Sequence, residues 1–416
     1  MSPIVNLDVV KDRNISAVYK TILTHGAIPR TEIARICQIA PGSVTRITRQ
    51  LMDNGLIEEV VNISGSDDRG RKAMPLAINK NRIQILAARI GRTHLHIGLQ
   101  TVSGEILAKH SEPLPIVKDN GPSQEQFSKQ VISALTAFIQ KHKKLVTKIA
   151  GVGLAVPGLV DVQEGVITFM PHLKVNNLPL AELISDVLDA PCHINNFIAA
   201  MTLAEKQFGA LKDYQNSLLV SIHNGVGAGL VMDGKLYEGS SAAVGELGHI
   251  QMEPLGQQCD CGNFGCLETV VSNSAIEKRC RQILPTASGS SLAELPTGQI
   301  TITDICTAAN HGDALAIRLL KEAAAKLGSA LAMAVNLLRP QVIALSGELC
   351  QAADIVHPVI EQCLKQQAVN VPGIPPVKVI NAKLYDRPWL AGYSLIRKAI
   401  TDQGLLWQIM KEAQSN

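Results

Sequence analysis

Residues 245–268 read Gly-Glu-Leu-Gly-His-Ile-Gln-Met-Glu-Pro-Leu-Gly-Gln-Gln-Cys-Asp-Cys-Gly-Asn-Phe-Gly-Cys-Leu-Glu. The stretch contains one histidine and three cysteines, spaced His249-x9-Cys259-x-Cys261-x4-Cys266. One imidazole and three thiolates complete a tetrahedral zinc shell with no open position, the donor set of a structural metal rather than a catalytic one. We therefore expect one structural zinc per chain. Gly248, Gly256, Gly262 and Gly265 give the loop freedom to wrap the ion. Because metal binding adds directly to folding free energy, the loop is expected to need its metal for order. Cys37, Cys192, Cys280, Cys306, Cys350 and Cys363 are scattered, as reduced thiols are, and the crowding of the other three stands out against them.

Around this loop lie 416 residues, 46% hydrophobic and 18% charged. That is enough chain for two or three domains with sizeable cores, and the composition excludes disorder. No window holds 18 uninterrupted apolar residues, and the N-terminus lacks a signal-peptide pattern, so a cytoplasmic protein is expected. The net charge of +3 is concentrated at one end: residues 1–80 hold 11 Lys and Arg against 8 Asp and Glu, and the rest of the chain balances. A basic first fifth is a weak pointer to nucleic acid.

That first fifth has its own pattern. Periodicity predicts a helix from Arg13 to His25, with Ile15, Val18, Tyr19 and Ile22 inward and Gly26 as its stop. A second helix is expected from Thr31 as N-cap. After a short turn at Gln38–Ala40, Pro41 and Gly42 open a third at Ser43, running to about Asn54 with Val44, Ile47, Leu51 and Met52 inward. Its outer face shows Ser43, Thr45, Arg46, Arg49 and Gln50. Leu56–Ile63 and Met74–Ile78 then read as a hairpin wing whose tip carries Arg69, Arg71 and Lys72. Two helices joined by a tight turn, the second with a polar basic face, describe a helix-turn-helix. Arg46, Arg49 and Gln50 are expected at base edges, and Arg71 and Lys72 at phosphates. The competing reading is a three-helix bundle with a solvated basic face.

Beyond Asn79 strands alternate with helices. Ile83–Ile90, Leu95–Leu99 and Gly104–His110 predict an antiparallel meander, Ser123–Lys141 a helix, and Lys148–Val156 a strand ending at Pro157-Gly158. Cys192–Ile194 leads into a helix over Ile198–Phe208. Ser217–His223 and Gly229–Met232 predict a hairpin around Gly225, Gly227 and Gly229, a turn able to offer backbone N–H groups to a phosphate or sugar. Val342–Leu345 and Val377–Asn381 are expected strands, and Ala391–Ile400 and Leu405–Glu412 C-terminal helices, the last with Leu406, Ile409 and Met410 on one side. Such alternation predicts an α/β sheet domain of two similar lobes.

Gly245-Glu246-Leu247-Gly248-His249, followed by Cys259-x-Cys261-Gly262-Asn263-x-Gly265-Cys266-Leu267-Glu268, resembles the signature of the ROK family of repressors, open reading frames and kinases. Leu154–Gly158 resembles the family's sugar-side turn and Gly225–Gly229 its second phosphate loop. The helix-turn-helix, with Gln38–Thr45 and Gly248–Gln251, is similar to the repressor branch. The resemblance implies a two-lobed, actin-like and hexokinase-like α/β fold behind a winged helix-turn-helix, and a homodimer or tetramer. The expected division is 1–81 for the DNA reader, 82–194 completed by 381–416 for the first lobe, and 195–380 for the second. It also implies that Asn177, Asn195, Asn196, Glu246, His249 and Glu268 border a sugar.

The same resemblance tests kinase chemistry. Sugar kinases of the family open this domain with an aspartate and a Gly-Gly-Thr turn for ATP phosphates, where this chain has Arg89-Ile90-Gly91-Arg92-Thr93. Their proton-accepting aspartate falls at Phe197 or Asn196, depending on the alignment, and neither can act as a base. The expectation is a non-enzymatic transcriptional regulator of carbohydrate uptake or use. It would bind a palindromic double-stranded operator and be released either by a sugar phosphate or by a phosphotransferase-system sugar permease. The alternative is a sugar kinase with an appended DNA-binding domain. A scaffold whose helix-turn-helix contacts protein is a third.

Overall fold

The computed structural model describes residues 7–60, 74–91, 93–114, 122–170, 175–239 and 243–415. They fall into two compact units, residues 1–195 with 389–416, and residues 196–388.

The first unit begins with helices α1 (Leu7–His25), α2 (Arg30–Cys37) and α3 (Pro41–Asp53). Ile15, Val18, Tyr19, Ile22, Ile33, Val44 and Leu51 are fully buried among them. Each such side chain is worth roughly 1.5–3 kcal/mol of transfer free energy. The turn between α2 and α3 is tight because Gln38 takes a left-handed φ of 54° and its N–H bonds back to the Ala34 carbonyl. Pro41 then sits in the first turn of α3, where it has no N–H to lose. Two expectations change here. Pro29, without a side-chain cap, precedes α2, so Thr31 lies inside the helix. Met52 is only half-buried, with Arg30 Nη2 3.7 Å from its sulfur.

Strands β1 (Ile57–Glu59) and β2 (Leu76–Ile78) form the antiparallel base of a wing, and Ile28 bridges to Leu76 as a third edge. The expected wing tip with Arg69, Arg71 and Lys72 lies outside the described residues, as does Arg92. Then follow β3 (Gln84–Ile90), β4 (His94–Thr101), β5 (Ile106–Pro113), α4 (Gln124–Lys141) and β6 (Ile149–Val156). A small sheet of β7 (Leu159–Asp161), β8 (Val166–Met170) and β9 (Val175–Leu178) leads to α5 (Leu180–Leu188) and β10 (Cys192–Asn196). The main sheet has the order β10-β6-β3-β4-β5, with β3 parallel to β6 and antiparallel to β4. One face, with Leu86, Ala88, Leu95, Ile97 and Leu154, packs on Phe127, Val131 and Leu135 of α4.

The second unit contains α6 (Phe197–Phe208), β11 (Ser217–Ile222), β12 (Val226–Met232), β13 (Lys235–Leu236), α7 (Glu268–Val271), α8 (Asn273–Ile283), α9 (Ile302–Asn310), α10 (Ala314–Leu338), β14 (Val342–Ser346), α11 (Ala353–Gln367) and β15 (Lys378–Asn381). Its sheet order, β15-β14-β11-β12-β13, repeats the connectivity of the first: an antiparallel meander with parallel strands added beside its first member. Buried Glu205 on α6 ties this unit together. One carboxylate oxygen accepts the N–H groups of Lys383 and Leu384 at 2.7 and 2.6 Å, and the other that of Ala210 at 2.6 Å.

The C-terminal helices α12 (Trp389–Asp402) and α13 (Leu405–Ser415) return to the first unit. Helix α12 covers the sheet face opposite α4. A Cβ on Gly153 of β6 would lie 1.9 Å from the Gly392 carbonyl oxygen, so backbone rests on backbone. Helix α1 packs on α12 and α13, with Lys20 paired to Asp402 at 2.7 Å. Leu406, Ile409 and Met410 are buried in this unit. No helix among the described residues is long and apolar enough to cross a membrane. We predict that Gly153→Ala destabilises the protein by about 1–3 kcal/mol, seen as a lower thermal midpoint. Gly298→Ala, where an added Cβ meets nothing within 4 Å, should leave that midpoint unchanged.

Candidate metal centre and nucleic-acid interface

The metal-binding loop is shaped by its backbone. Leu247–His249 form one 3-10 turn tucked against β12, where a Cβ on Gly248 would come within 2.2 Å of the Val226 carbonyl oxygen. Gly265, at a left-handed φ of 68°, passes so close to Glu253 that a Cβ would overlap the latter's carbonyl oxygen at 1.5 Å. The Cys259 N–H bonds to the Asn263 carbonyl at 2.8 Å, and Gly262 N–H to that of Cys259 at 2.9 Å. These turns gather the ligand atoms of His249, Cys259, Cys261 and Cys266 within 4.8 Å of one another.

The spacing suits a tetrahedral ion. His249 Nδ1 is 3.6 Å from Cys259 Sγ, and Cys261 Sγ is 3.7 Å from Cys266 Sγ. Metal–sulfur bonds of about 2.3 Å give tetrahedron edges of about 3.8 Å. Burial, with the neighbouring thiols, pushes the Cys266 thiol up to about 12. A divalent cation would offset that repulsion between thiolates. The cluster can hold a metal ion. The other ring nitrogen, His249 Nε2, faces Glu246 Oε2 at 3.5 Å, the usual arrangement by which an outer carboxylate fixes a metal-ligating imidazole. Burial raises the Glu246 carboxyl above its ordinary range.

The residues implied to border a sugar fall in both units. Glu246, His249 and Glu268 cluster in the second. Glu268 Oε2 accepts the Val226 N–H at 2.8 Å, so it closes the glycine turn from below. Asn196 caps α6, its Oδ1 accepting the Ile198 N–H at 2.8 Å, and Phe197 is the first residue of that helix. Asn195 is buried at the end of β10, and Asn177 is exposed in β9 with a left-handed φ of 53°.

The glycines of this turn also have a packing role that the sequence did not show. A Cβ on Gly227 would lie 2.4 Å from Ile198 Cδ1, and one on Gly229 1.9 Å from Thr202 Oγ1. These glycines let β12 lie against α6. Sequence reading also missed Glu348. Its Oε2 accepts from His223 Nδ1 at 2.8 Å and from Asn273 Nδ2 at 2.6 Å. These groups stand where β11 and β14 end. Burial opposes ionisation of Glu348, but the bonds and charge of His223 and Asn273 outweigh it and bring the carboxyl to about 2. The only sequence hint was the Ser346-Gly347 close of β14.

On α3, Thr45, Arg46 and Arg49 are exposed, and Ser43 and Gln50 half-buried. Among the described residues Arg46 and Arg49 have no ion-pair partner. Arg30 braces the motif from behind, reaching Thr48 Oγ1 at 3.2 Å and Glu59 Oε1 at 2.9 Å. The helix therefore presents two unpaired guanidinium groups on a fixed support.

A depressed carboxyl stabilises the fold above its unfolded pKa and loses that contribution as pH falls through the folded one. We predict that Glu348→Gln lowers the thermal midpoint at pH 7, and that the gap to the wild type closes between about pH 5 and pH 2. A gap that is constant with pH would contradict the assignment.

Comparison with known proteins bears on these features. Residues 85–399 match the model of the ROK family, and residues 11–58 that of a winged helix-turn-helix DNA-binding domain. The chain is 36% identical over 409 residues to the DNA-binding transcriptional dual regulator NagC of Escherichia coli (strain K12), covering 98% of this chain and 97% of that protein. It is 31% identical to the DNA-binding transcriptional repressor Mlc of the same strain, covering 98% of each. Its structure is similar, at a TM-score of 0.87 and 35% identity, to a crystal structure of a ROK family transcriptional regulator described as a homolog of the E. coli Mlc protein, covering 97% of this chain and 99% of that one. This chain belongs to the ROK family and joins a winged helix-turn-helix to its ROK domain.

Proposed function

We propose that this chain is a cytoplasmic transcriptional repressor of genes for carbohydrate uptake or use. The observation that carries the reading is a braced α3 with Arg46 and Arg49 unpaired on its outer face, in a chain similar along its whole length to regulators of transcription. Residues 1–81 form the reader. Ser43, Thr45, Arg46, Arg49 and Gln50 face the major groove, and Arg71 and Lys72 the backbone. A homodimer or tetramer places two copies of α3 in successive grooves of a palindromic operator. A sugar phosphate, or a phosphotransferase-system sugar permease, releases it by favouring a geometry that misplaces those helices.

His249, Cys259, Cys261 and Cys266 hold one zinc ion. With no open position, its role is to fix the loop that carries Glu246 and leads into Glu268. Asn177, Asn195, Asn196, Glu246, His249 and Glu268 are the residues through which a sugar would be felt.

The kinase alternative is disfavoured by what replaces its machinery. Arg89 stands where the resemblance puts an aspartate, and Phe197 or Asn196 where it puts the base. The Val226 N–H of the expected phosphate loop is taken by Glu268. Glu348 sets a carboxylate at the ends of β11 and β14, where ligands of open α/β sheets bind, and it would repel nucleotide phosphates.

The test is selection from a genomic fragment library by purified, metal-loaded protein at two salt concentrations. Recovery of a palindrome, with binding that weakens as salt rises, is expected. Absence of sequence-selective binding would overturn the reading. Arg49→Ala should cost about 1–3 kcal/mol at the selected site and relax its sequence preference. Metal analysis should find one zinc per chain, and Cys261→Ser should lose it while the exposed position spares the core.

A further inference from the structure

The recognition helix α3 is held at its far end by a residue from outside the helix-turn-helix. Asn54 closes the helix, and Gly55 follows at a left-handed φ of 70° that turns the chain back. The N–H groups of Asn54, Gly55 and Leu56 return to the carbonyls of Gln50, Met52 and Leu51 at 3.2, 2.8 and 2.9 Å, so the helix is capped locally. The Asn54 carbonyl has a different partner. Arg82, 28 residues on, donates to it from Nε at 2.9 Å, and its side chain lies 3.5 Å from where a Cβ on Gly55 would stand. A guanidinium there meets the negative end of the helix dipole, and a charged donor makes a hydrogen bond about twice as strong as a neutral one.

Arg82 stands two residues before β3, and Ile83 between them is fully buried. Gln84, the first residue of β3, is buried as well and uses both ends of its amide. Its Nε2 donates to the Leu145 carbonyl at 2.8 Å, and its Oε1 accepts the Thr147 N–H at 3.0 Å. Thr147 Oγ1 in turn donates to the Asn81 carbonyl at 3.1 Å. Towards the reader, the Asn79 N–H reaches the Leu56 carbonyl at 3.0 Å, and the Arg82 N–H the Asn79 carbonyl at 3.3 Å. Residues 79–82 are therefore tied at both ends, to the end of α3 and to the loop before β6, and do not form a slack linker. The other fastening of the reader is α1 on α12 and α13, with its Lys20–Asp402 ion pair. One fastening leaves a hinge, and two fix an angle. Helix α3 has 13 residues, so it is about 20 Å long, and a tilt of about 10° moves its other end by roughly 3.4 Å, one base-pair step.

We propose that Arg82 is a positioning residue for DNA reading: it fastens the end of α3 to the start of β3 and thereby sets the spacing of half-sites that a symmetric pair of chains accepts. This role rests on the regulator function proposed above and deepens it, by naming what fixes the angle of the reader. Base preference belongs to Arg46 and Arg49 on the outer face of α3, and spacing to Arg82. Two linked readers gain over one only while their geometry lets both engage. A reader freed at Arg82 still recognises a half-site but no longer discriminates between spacings.

The test uses the full, metal-loaded chain on three duplexes. They are the palindrome it selects, a single half-site, and the palindrome with one base pair added at its centre, a shift of about 3.4 Å and 35°. The wild type should bind the lengthened palindrome at least about tenfold more weakly than the selected one. Arg82→Ala should reduce that ratio to about threefold or less, weaken the selected palindrome about tenfold and leave the half-site within about twofold. Retained half-site binding also shows that the variant reader is folded. Arg82→Lys, which keeps a cation able to reach the Asn54 carbonyl, should restore most of the discrimination. Thr147→Val, which removes only the bond to Asn81, should move the ratio the same way by less. An Arg82→Ala ratio equal to that of the wild type would overturn the role. So would half-site binding lost in proportion to the palindrome, which would make Arg82 a helix cap and nothing more. Equal binding of both palindromes by the wild type would overturn the role and leave the regulator standing. Absence of any selective binding by the wild type would overturn the regulator, and this role with it.

Discussion

The first unit depends on one close approach, the contact of Gly153 on β6 with Gly392 on α12. With any side chain at either position, α12 could not lie on the sheet at this depth. The helix in turn supports α1, the first helix of the DNA reader, through the buried pair Tyr19 and Tyr393 and the Lys20–Asp402 ion pair. It also roofs the sheet face on which Arg89 and His96 meet. One helix therefore touches both the reader and the main sheet of the first unit.

The metal loop shows the same economy in the second unit. His249 sets Nδ1 beside Cys259 Sγ and Nε2 beside Glu246, so one imidazole links the cysteine cluster to a carboxylate. Glu268 follows Cys266 by two residues and holds the turn between β11 and β12 through the Val226 N–H. The loop that carries the cluster therefore also holds the hairpin of β11 and β12. A metal ion held by this cluster would act as a fold element.

Features whose cause is local were legible in the sequence. The recognition helix was bounded by Pro41 and Gly55, and its inward face by the spacing of Val44, Ile47 and Leu51. The cluster of His249, Cys259, Cys261 and Cys266, which could hold a metal, needed only its spacing, since all four residues lie within one loop. Features whose cause is distant were not legible. Gly227 and Gly229 read as phosphate-loop residues, and nothing in the sequence told that Ile198 and Thr202 pass beside them and leave no room for a Cβ. Glu348 had no signature because its partner His223 is 125 residues away. The N-cap of α2 falls at Pro29, two residues before the expected Thr31, because Pro29 gives the helix no side-chain cap to recognise. Gln100 lies just beyond the strand expected over Leu95–Leu99, and only burial without a partner marks it.

The central claim is that α3 reads DNA from a symmetric pair of these chains. The most direct measurement is a hydroxyl-radical footprint of the full, metal-loaded protein on a DNA fragment that it selects. The account predicts two protected patches on one side of the duplex, centred about one helical turn or a multiple of it apart and related by the symmetry of the site. Uniform protection without that spacing, or none at all, would contradict it.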